Sequence, residues 1–410
     1  MNILIVSYDA YPHIGGKSTH IYNLTKGLTE IGHTVKVISY SDISMFVKTF
    51  IIRSHSFVFC KIPVLGKRLS FSWTSFWINY LLQNIVVREI KTNSFDAISC
   101  QDIDASNILA KIRKKINFKI PIITTVHGDY TNEKLSAGII SKGTLNELKL
   151  VKKEVKGYLG SDVIITVDNR LKEHVTLLCG NKLKKQPEVM FNFLDISEFN
   201  PISDSIKQNL KVKYCDADKL NSWTLLCPRR LTAKNGVVYA ALMMKHLLEI
   251  KKDLNIQLLF AGSGKDKHKI SKIINKNKLF NSIKLLGDVK HEEIINLYAI
   301  SDAVIIPSVP SEGVIEATSL SALESMACGI PVIASNIGGL SELIKHRETG
   351  MLVAPHDVEN MAEAVLTLMQ DKNLRKNISN QACQYIINHH SHLTAAARFA
   401  SICEKERNNV

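Results

Sequence analysis

The sequence predicts an α/β protein made of two doubly wound domains, each with a parallel sheet. A length of 410 residues suits two domains of ordinary size. Short apolar runs of strand length alternate along the chain with longer segments of helical periodicity. Such alternation is typical of parallel sheets that carry helices on both faces.

The apolar runs give the predicted strands, which lie at 2–7, 34–40, 96–100, 122–126, 162–167, 223–227, 256–261, 283–286, 303–306 and 331–334. The predicted helices lie at 18–31, 237–251, 291–300, 319–327, 358–369 and 394–406. A polar stretch at 193–218 contains Pro201, lacks an apolar period and separates the halves. We therefore expect an N-terminal domain at 1–195 and a C-terminal domain at 196–385. A final helical segment at about 386–410 is expected to pack back on the first domain.

The composition indicates a globular protein without disulfides. The hydrophobic fraction is 45%, as in folded domains. The eight Cys residues form no Cys-x-x-Cys pair and no tight Cys/His cluster, which favours reduced thiols and no structural zinc. The apolar run at 1–7 follows no basic segment and is too short for a signal peptide core, so we expect a buried strand of a cytoplasmic protein.

The net charge of +14 favours an anionic partner, which could be nucleic acid, a phosphorylated substrate or an acidic membrane surface. Segment 43–91 combines one acid, Glu89, with seven bases, namely Lys48, Arg53, Lys61, Lys67, Arg68, Arg88 and Lys91. It also contains two Trp and six Phe residues. Because bases mixed with aromatics suit a lipid headgroup interface, we predict a possible peripheral attachment to the cytoplasmic face of a membrane.

The middle of this segment also has a simpler interpretation. Residues 69–87 carry no charge but contain too many polar side chains to span a bilayer. A helically spaced stripe is formed by Trp73, Phe76, Trp77, Tyr80, Leu81 and Asn84. The helix either packs on its own domain or faces a membrane, and the sequence leaves both open.

The most informative motif places Glu316 and Glu324 eight positions apart. Thr318 and Ser319 lie between them, where a helix should begin and where hydroxyl groups can cap the first amides. The amides and dipole at a helix start suit a phosphate, and carboxylates suit sugar hydroxyls. The segment therefore predicts a site for both parts of a nucleotide-sugar.

Further segments occur in a specific order along the chain. They are Ile14-Gly-Gly-Lys-Ser-Thr-His20, Gly32-His-Thr-Val35, Thr125-Val-His-Gly-Asp129, Asn192-Phe-Leu-Asp-Ile-Ser-Glu-Phe199, Arg230-Leu-Thr-Ala-Lys-Asn-Gly236, Asn336-Ile-Gly-Gly-Leu-Ser-Glu342 and Thr349-Gly-Met-Leu-Val353. Together with the Glu316/Glu324 motif, this order resembles the family 4 glycosyltransferases. The resemblance implies the GT-B fold, in which two Rossmann-like domains face across a cleft, and a retaining mechanism.

The resemblance also implies residue roles. The C-terminal domain would bind the nucleoside diphosphate-sugar, and the N-terminal domain would recognise the acceptor. Catalytic roles would fall to Glu316 and His127, which contact the donor sugar, and to Arg230 and Lys234, which neutralise the diphosphate. The donor-binding residues would be Gly15, Gly16, Thr318, Ser319, Leu320 and Glu324, the last on the ribose hydroxyls. No cofactor or metal is expected, because two cations and a helix start already serve the phosphates.

The sequence departs from the family pattern in two places. Ala317 and the two hydroxyl residues after it replace the glycine-rich turn that usually follows the first signature Glu. The family Lys lies five positions after its Arg, whereas Lys234 lies four after Arg230 and five after Arg229. Either arginine is a candidate counterpart, and a shift of the motif accommodated at Asn235 is a further alternative. Arg230 is preferred because the following Leu231 keeps the family order.

Other acidic and glycine pairs fit these roles less well. Glu312 does not give the eight-position spacing to Glu324. Asp102 and Asp104 form an Asp-x-Asp pair after a strand, which we interpret as two loop carboxylates rather than a metal site. Gly262 and Gly264 lack the third Gly of a dinucleotide fingerprint, so an ordinary strand-to-helix turn is expected.

These observations predict a retaining glycosyltransferase that moves a sugar from a nucleoside diphosphate to an acceptor hydroxyl. The acceptor class would be a cell-surface polysaccharide or a glycolipid precursor. One alternative is a nucleotide-sugar epimerase of the same architecture, which would need no acceptor. A second is a non-catalytic basic binding protein for nucleic acid or membrane, although no nucleic-acid recognition motif is present.

Overall fold

The computed structural model describes residues 1–13, 15–54, 57–58, 66–136, 138–201, 204–311, 313 and 315–409. The chain divides into two compact units. Unit 1 consists of Met1–Met190 with Ala395–Val410, and unit 2 consists of Phe191–Thr394.

Unit 1 contains a sheet of six parallel strands in the order β2-β1-β3-β4-β5-β6. The strands are β1 Asn2–Val6, β2 Thr34–Ile38, β3 Ala97–Cys100, β4 Ile122–Val126, β5 Val163–Thr166 and β6 Glu188–Val189. The helices are α1 Gly16–Glu30, α2 Gly66–Thr92, α3 Ile103–Ile116, α4 Tyr130–Ser136, α5 Leu145–Leu159 and α6 Asn169–Cys179.

Unit 2 contains a second sheet of six parallel strands, in the order β12-β11-β10-β7-β8-β9. The strands are β7 Trp223–Cys227, β8 Ile256–Ala261, β9 Ile283–Gly287, β10 Ala303–Ile306, β11 Val332–Ser335 and β12 Met351–Val353. The helices are α7 Asp204–Tyr214, α8 Val237–Ile250, α9 Lys267–Asn277, α10 His291–Ile300, α11 Leu320–Ala327, α12 Gly338–Leu343, α13 Val358–Gln370 and α14 Lys372–His389. Helix α15, His392–Arg407, leads back into unit 1.

The predicted fold class, two doubly wound parallel sheets, is confirmed. The reason lies in the strand burial: β3, β4, β8 and β10 are buried at every position. In unit 2, Leu225 packs into the core on one face of the sheet, and its neighbour Leu226 packs into the core on the other. Strands with two buried faces read as continuous apolar runs, which is why the sequence showed them clearly.

The aromatic stripe of helix α2 is packed on its own domain at one ring and exposed at others. Trp77 packs against the buried Ile52 and Ile78, as expected for a helix that rests on its own domain. Phe76 and Tyr80 are instead 61% and 53% exposed. Phe59 and Lys61 lie outside the described residues. Lys67, Arg68 and Phe71 belong to α2, but their side chains lie outside the described part of the structure. Among the described residues, no helix combines the length and apolar character needed to cross a bilayer.

Candidate functional site

The candidate donor site of unit 2 forms where several loops meet beyond the carboxyl ends of the strands. Ligands bind at this edge in open α/β sheets. The loop after β7 carries Arg229 and Arg230, and the signature loop, residues 315–319, leads into α11. The structure brings these two loops together through one buried side chain.

That side chain is Arg229, whose guanidinium makes four polar contacts. It forms an ion pair with Glu316 at 2.9 Å and donates to Ser319 Oγ at 2.8 Å. It also donates to Asn235 Oδ1 at 2.7 Å and to Ser308 Oγ at 3.2 Å. Arg229 is buried, with 8% of its surface exposed. It therefore joins the loops after β7 and β10 to the start of α11.

Arg230, the arginine that the sequence favoured, has a different environment. Its side chain is exposed, and its carbonyl accepts from Asn235 Nδ2 at 2.8 Å. Lys234 is also exposed, in a short 3-10 turn, and its carbonyl accepts from the Val309 amide. Two cations are thus displayed on the loop after β7, while Arg229 is used for internal contacts.

The predicted hydroxyl cap of the signature helix is wrong. Ser319 occupies the N-cap position of α11, but its side chain makes no capping hydrogen bond. It accepts from Arg229 instead, because a charged donor at 2.8 Å outcompetes a local amide. Among the described residues, the backbone amides of Leu320 and Ser321 have no hydrogen-bond partner. The start of α11 therefore retains amides that an anion could use.

Glu324 lies one turn into α11 and is partly exposed. One of its carboxylate oxygens accepts from the hydroxyl of the buried Tyr298 at 2.7 Å. Burial and the neighbouring charge of Glu324 raise the pKa of Tyr298 well above its ordinary value, so this hydroxyl stays protonated and donates. Tyr298 thereby fixes the position of the Glu324 carboxylate.

Close backbone approach explains the glycine pair of the Asn336-Ile-Gly-Gly segment. Gly338 has a φ of 53°, and a Cβ there would lie 2.1 Å from the Glu316 carbonyl oxygen. The amide of Gly339 donates to that same carbonyl at 3.1 Å. On the other side, Asn192 Nδ2 donates to the Thr318 carbonyl at 3.1 Å. The signature loop is therefore held by the backbone of α12 and by a side chain from 192–199.

In unit 1, the corresponding sheet edge carries His127, which follows β4 and is partly exposed. Its Nε2–H donates to Gln101 Oε1 at 3.0 Å, since a carboxamide oxygen can only accept. The amide nitrogen of Gln101 donates in turn to Ser99 Oγ at 2.8 Å. The His20 ring meets the His127 ring edge-on, at 4.6 Å between centroids. This network leaves Nδ1 of His127 as the acceptor of a neutral imidazole.

The surroundings of His127 also favour its neutral form. Burial lowers the pKa of His127 well below its ordinary value, and the positive charges of His20 and Lys17 act in the same direction. Gly15 is the N-cap of α1 with a φ of 154°, and Gly16 is the first residue of that helix. The predicted glycine loop thus ends at a helix start, as a site for an anion would require.

The Asp-x-Asp pair has structural contacts. Asp102 caps α3 by accepting from the Ala105 amide at 2.8 Å, and it also accepts from the Tyr8 amide at 2.8 Å. Asp104 pairs with Lys153 and accepts from a tyrosine hydroxyl. The predicted loop position of both carboxylates is wrong, because Asp102 is the N-cap of α3 and Asp104 lies in its first turn.

One group in unit 1 has the residue types of a metal site. Asp129, Glu154 and His174 offer ligand atoms that all lie within 4.8 Å of one another. The carboxylate oxygens already accept from protein donors: Glu154 accepts from Thr131, Tyr158 and His174. A carboxylate lies at each ring nitrogen of the half-buried His174, at 3.0 and 3.5 Å, and this raises the pKa of the imidazole above its ordinary value. We therefore interpret the group as an ion cluster.

Family comparisons agree with the geometry of both units. The model for Glycosyltransferase Family 4 matches residues 14–198, and the model for Glycosyl transferases group 1 matches residues 217–385. The chain belongs to the family 4 glycosyltransferases. It is therefore an enzyme of the transferase class, and the predicted resemblance is confirmed.

Relatives and solved structures match this glycosyltransferase over nearly its whole length. A glycosyltransferase of Methanocaldococcus jannaschii is 26% identical, over 93% of this chain and 92% of its own. The N-acetyl-alpha-D-glucosaminyl L-malate synthase of Bacillus anthracis is 24% identical, over 92% and 91%. Anabaena HepE in complex with UDP has a TM-score of 0.71 at 18% identity, covering 99% of this chain and 100% of its own. This likeness confirms the GT-B fold.

Three side chains of the glycosyltransferase were missed or ranked second by sequence reasoning. Arg229 was the alternative to Arg230, and the five-position spacing to Lys234 was the signal in its favour. Gln101 and Tyr298 had no local signal, because each acts through a residue distant in sequence. Gln101 lies 26 positions from His127, and Tyr298 lies 26 positions from Glu324.

Proposed function

We propose that this glycosyltransferase transfers a sugar from a nucleoside diphosphate-sugar to an acceptor hydroxyl, with retention of configuration. The observation that carries the proposal is the arrangement around the start of α11. The amides of Leu320 and Ser321, which have no partner within the described part of the chain, lie beside a loop that displays Arg230 and Lys234. A diphosphate needs such donors and cations, and they serve it best when charge builds on the leaving group.

The carboxylates would hold the two ends of the donor. Glu324, fixed by Tyr298, is proposed to accept hydrogen bonds from the ribose hydroxyls. Glu316, fixed by Arg229, is proposed to accept from the hydroxyls of the transferred sugar. In unit 1, His127 is proposed to accept a hydrogen bond from a sugar hydroxyl through its unprotonated Nδ1. The departing diphosphate would help to deprotonate the incoming hydroxyl, so no side chain is required as a covalent nucleophile.

Support for the donor class also comes from the relatives. HepE was solved with UDP and with UDP-glucose, and starch synthase IV of Arabidopsis thaliana was solved with ADP and acarbose. We carry over only the shared chemistry, a nucleoside diphosphate and its sugar. The reaction needs neither a metal nor a cofactor in this proposal, because the phosphate contacts come from the chain itself.

Donor binding can be tested with a thermal-shift screen of nucleotide-sugars. A donor that binds the folded state at 100 times its Kd stabilises it by about 2.7 kcal/mol. We expect the wild type to respond to one donor and Glu324→Gln to lose most of that response. Transfer of sugar by Glu324→Gln and by Lys234→Ala at wild-type rates would contradict the assigned roles. Conversion of the donor to an epimer without acceptor would favour the epimerase instead.

We further propose that the protein attaches peripherally to a membrane that carries a polysaccharide or glycolipid precursor. In segment 43–91, Phe46 and Phe50 are 66% and 59% exposed, with their rings 4.7 Å apart. Arg53 is exposed on the same segment, whereas Lys48 is buried and bonded to the Ser41 carbonyl. Vesicle flotation of Phe46→Ser/Phe50→Ser against wild type tests this attachment, and equal flotation would contradict a role for these rings.

A further inference from the structure

A second basic surface of unit 1 lies outside segment 43–91. It is a groove of about 520 Å³ between α3, α5 and α6, which we call the lysine groove. Five lysines line it, namely Lys111, Lys114, Lys152, Lys156 and Lys182. No carboxylate is among its lining residues, and none of the five lysines forms an ion pair within the described part of the chain.

The floor of the lysine groove is apolar. Helix α5 contributes Val151, Val155 and Leu159, and α6 contributes Leu178. On α5 this stripe begins at Leu148, which is 58% exposed, and continues at helical spacing through half-buried positions. An apolar stripe that is partly exposed and flanked by lysines is typical of helices that lie at a lipid interface.

The lysine groove shares a layer with the exposed aromatics of α2. Helices α2, α3, α5 and α6 each lie between two consecutive strands of the chain, and in every case the second strand lies nearer the β6 edge of the sheet. Right-handed crossovers therefore place these four helices on one face, and neighbouring helices in the series are in contact. Lysines and aromatic rings thus occupy the same side of unit 1.

The groove also lies away from the candidate site edge of unit 1. Lys111, Lys114 and Lys156 come from the second halves of α3 and α5, Lys152 lies at the middle of α5, and Lys182 follows α6. Helices in a parallel sheet run opposite to the strands. The lysines of the second halves are therefore near the amino ends of the strands, whereas His127 follows the carboxyl end of β4. A partner in the groove would leave His127 accessible.

We propose that the lysine groove docks on an anionic phospholipid surface. This inference rests on the membrane attachment proposed above, for which the groove supplies the electrostatic contribution. Ammonium groups meet the lipid phosphates while the apolar floor covers the acyl boundary, which matches the charge and polarity of such a surface. An acidic peptide is the other occupant that the same chemistry admits, and the test separates the two.

The test compares vesicles of phosphatidylcholine with vesicles that also contain phosphatidylglycerol. The groove variant replaces Lys111, Lys152 and Lys156 with Gln. The control variant replaces Lys252, Lys272 and Lys276, three exposed lysines of unit 2, with Gln, so both variants lose the same charge. Each lysine near an acidic leaflet strengthens binding about fivefold, so the groove variant should bind anionic vesicles roughly a hundredfold more weakly.

The outcomes decide between the explanations. Wild-type binding to anionic vesicles that only the groove variant loses supports the proposal. Equal loss in both variants would show a net-charge effect, and wild-type binding by the groove variant would also overturn the proposal. Binding of polyglutamate but not of vesicles would identify an acidic protein partner instead. A nucleotide-sugar thermal shift on the same variants shows whether donor binding, and with it the proposed function, stands independently.

Discussion

The two neighbouring arginines offer the sharpest test of the site, because the structure gives them opposite environments. Arg229 is buried and bonded to Glu316 and Ser319, whereas Arg230 is exposed. Replacing Arg229 with Met removes the cation beside a carboxylate that is itself only 13% exposed at its side chain. Loss of one partner of a buried ion pair costs about 3–5 kcal/mol of unfolding free energy. The hydrogen bonds that Arg229 also loses add nothing further to this range, because the energies of neighbouring contacts are not additive.

The assay is thermal and urea unfolding of Arg229→Met beside its matched control, Arg230→Met. In a domain of about 150–250 residues, each kcal/mol moves the Tm by about 2–4 °C. We therefore expect Arg229→Met to lower the Tm of unit 2 by roughly 10 °C. Arg230→Met should change the unfolding free energy by about 0.5 kcal/mol or less, as exposed positions usually do.

Donor binding should depend on the other arginine, Arg230. Arg230→Met is expected to stay folded and to lose donor response in the thermal-shift screen. An unchanged Tm for Arg229→Met would refute the positioning role of Arg229. Equal destabilisation by both variants would show that the exposed arginine also holds the loops, and would remove the basis for assigning it to the diphosphate.

Three further perturbations test other parts of the structure. Gln101→Glu should raise the pKa of His127, because a carboxylate replaces a neutral acceptor at 3.0 Å, and a ¹⁵N NMR titration of the ring would then show protonation at higher pH. Burial opposes protonation of His174, but its hydrogen bond to the Glu154 carboxylate and the charge of Asp129 raise its pKa overall. The stabilisation is thus complete below about pH 6.5 and is lost as the pH rises through the folded-state pKa, so urea unfolding should show this loss in the wild type and not in His174→Gln. Gly338→Ala should cost at least about 2 kcal/mol, because its left-handed backbone and the 2.1 Å approach to the signature loop both oppose a Cβ; wild-type unfolding would contradict this.

The sequence predicted the sheets well because their central strands are buried on both faces. The edge strands β6 and β12 were not predicted, since Glu188–Val189 and Met351–Val353 are too short to show a period. Helices α3, α5, α6, α9 and α14 were also not predicted. In α5, for example, the half-buried Val151 and Val155 and the exposed Leu148 disturb the expected contrast between an apolar inner and a polar outer face.

Within the site, the sequence located the loops but not the contacts between them. Arg229 and Arg230 are adjacent, and one position along an extended chain decides which side chain turns inward. The hydroxyl cap predicted for Ser319 follows local rules, yet a tertiary contact with Arg229 takes that oxygen. Contacts of this kind depend on where β7 and β10 place their loops, which no local pattern encodes.

The charge balance of unit 2 explains why an additional buried arginine suits the proposed function. Two carboxylates, Glu316 and Glu324, beside a diphosphate would repel it, because like charges in a partly buried site are costly. Arg229 offsets the charge of Glu316, and Tyr298 stabilises Glu324 by a hydrogen bond that adds no charge. The exposed Arg230 and Lys234 are then left to meet the diphosphate, while the carboxylates are proposed to meet the sugar and the ribose. If this balance governs binding, Glu316→Gln alone should leave the charge of Arg229 uncompensated and strengthen the binding of inorganic pyrophosphate. Weaker pyrophosphate binding would show instead that Glu316 acts by positioning Arg229 and not by repelling the diphosphate.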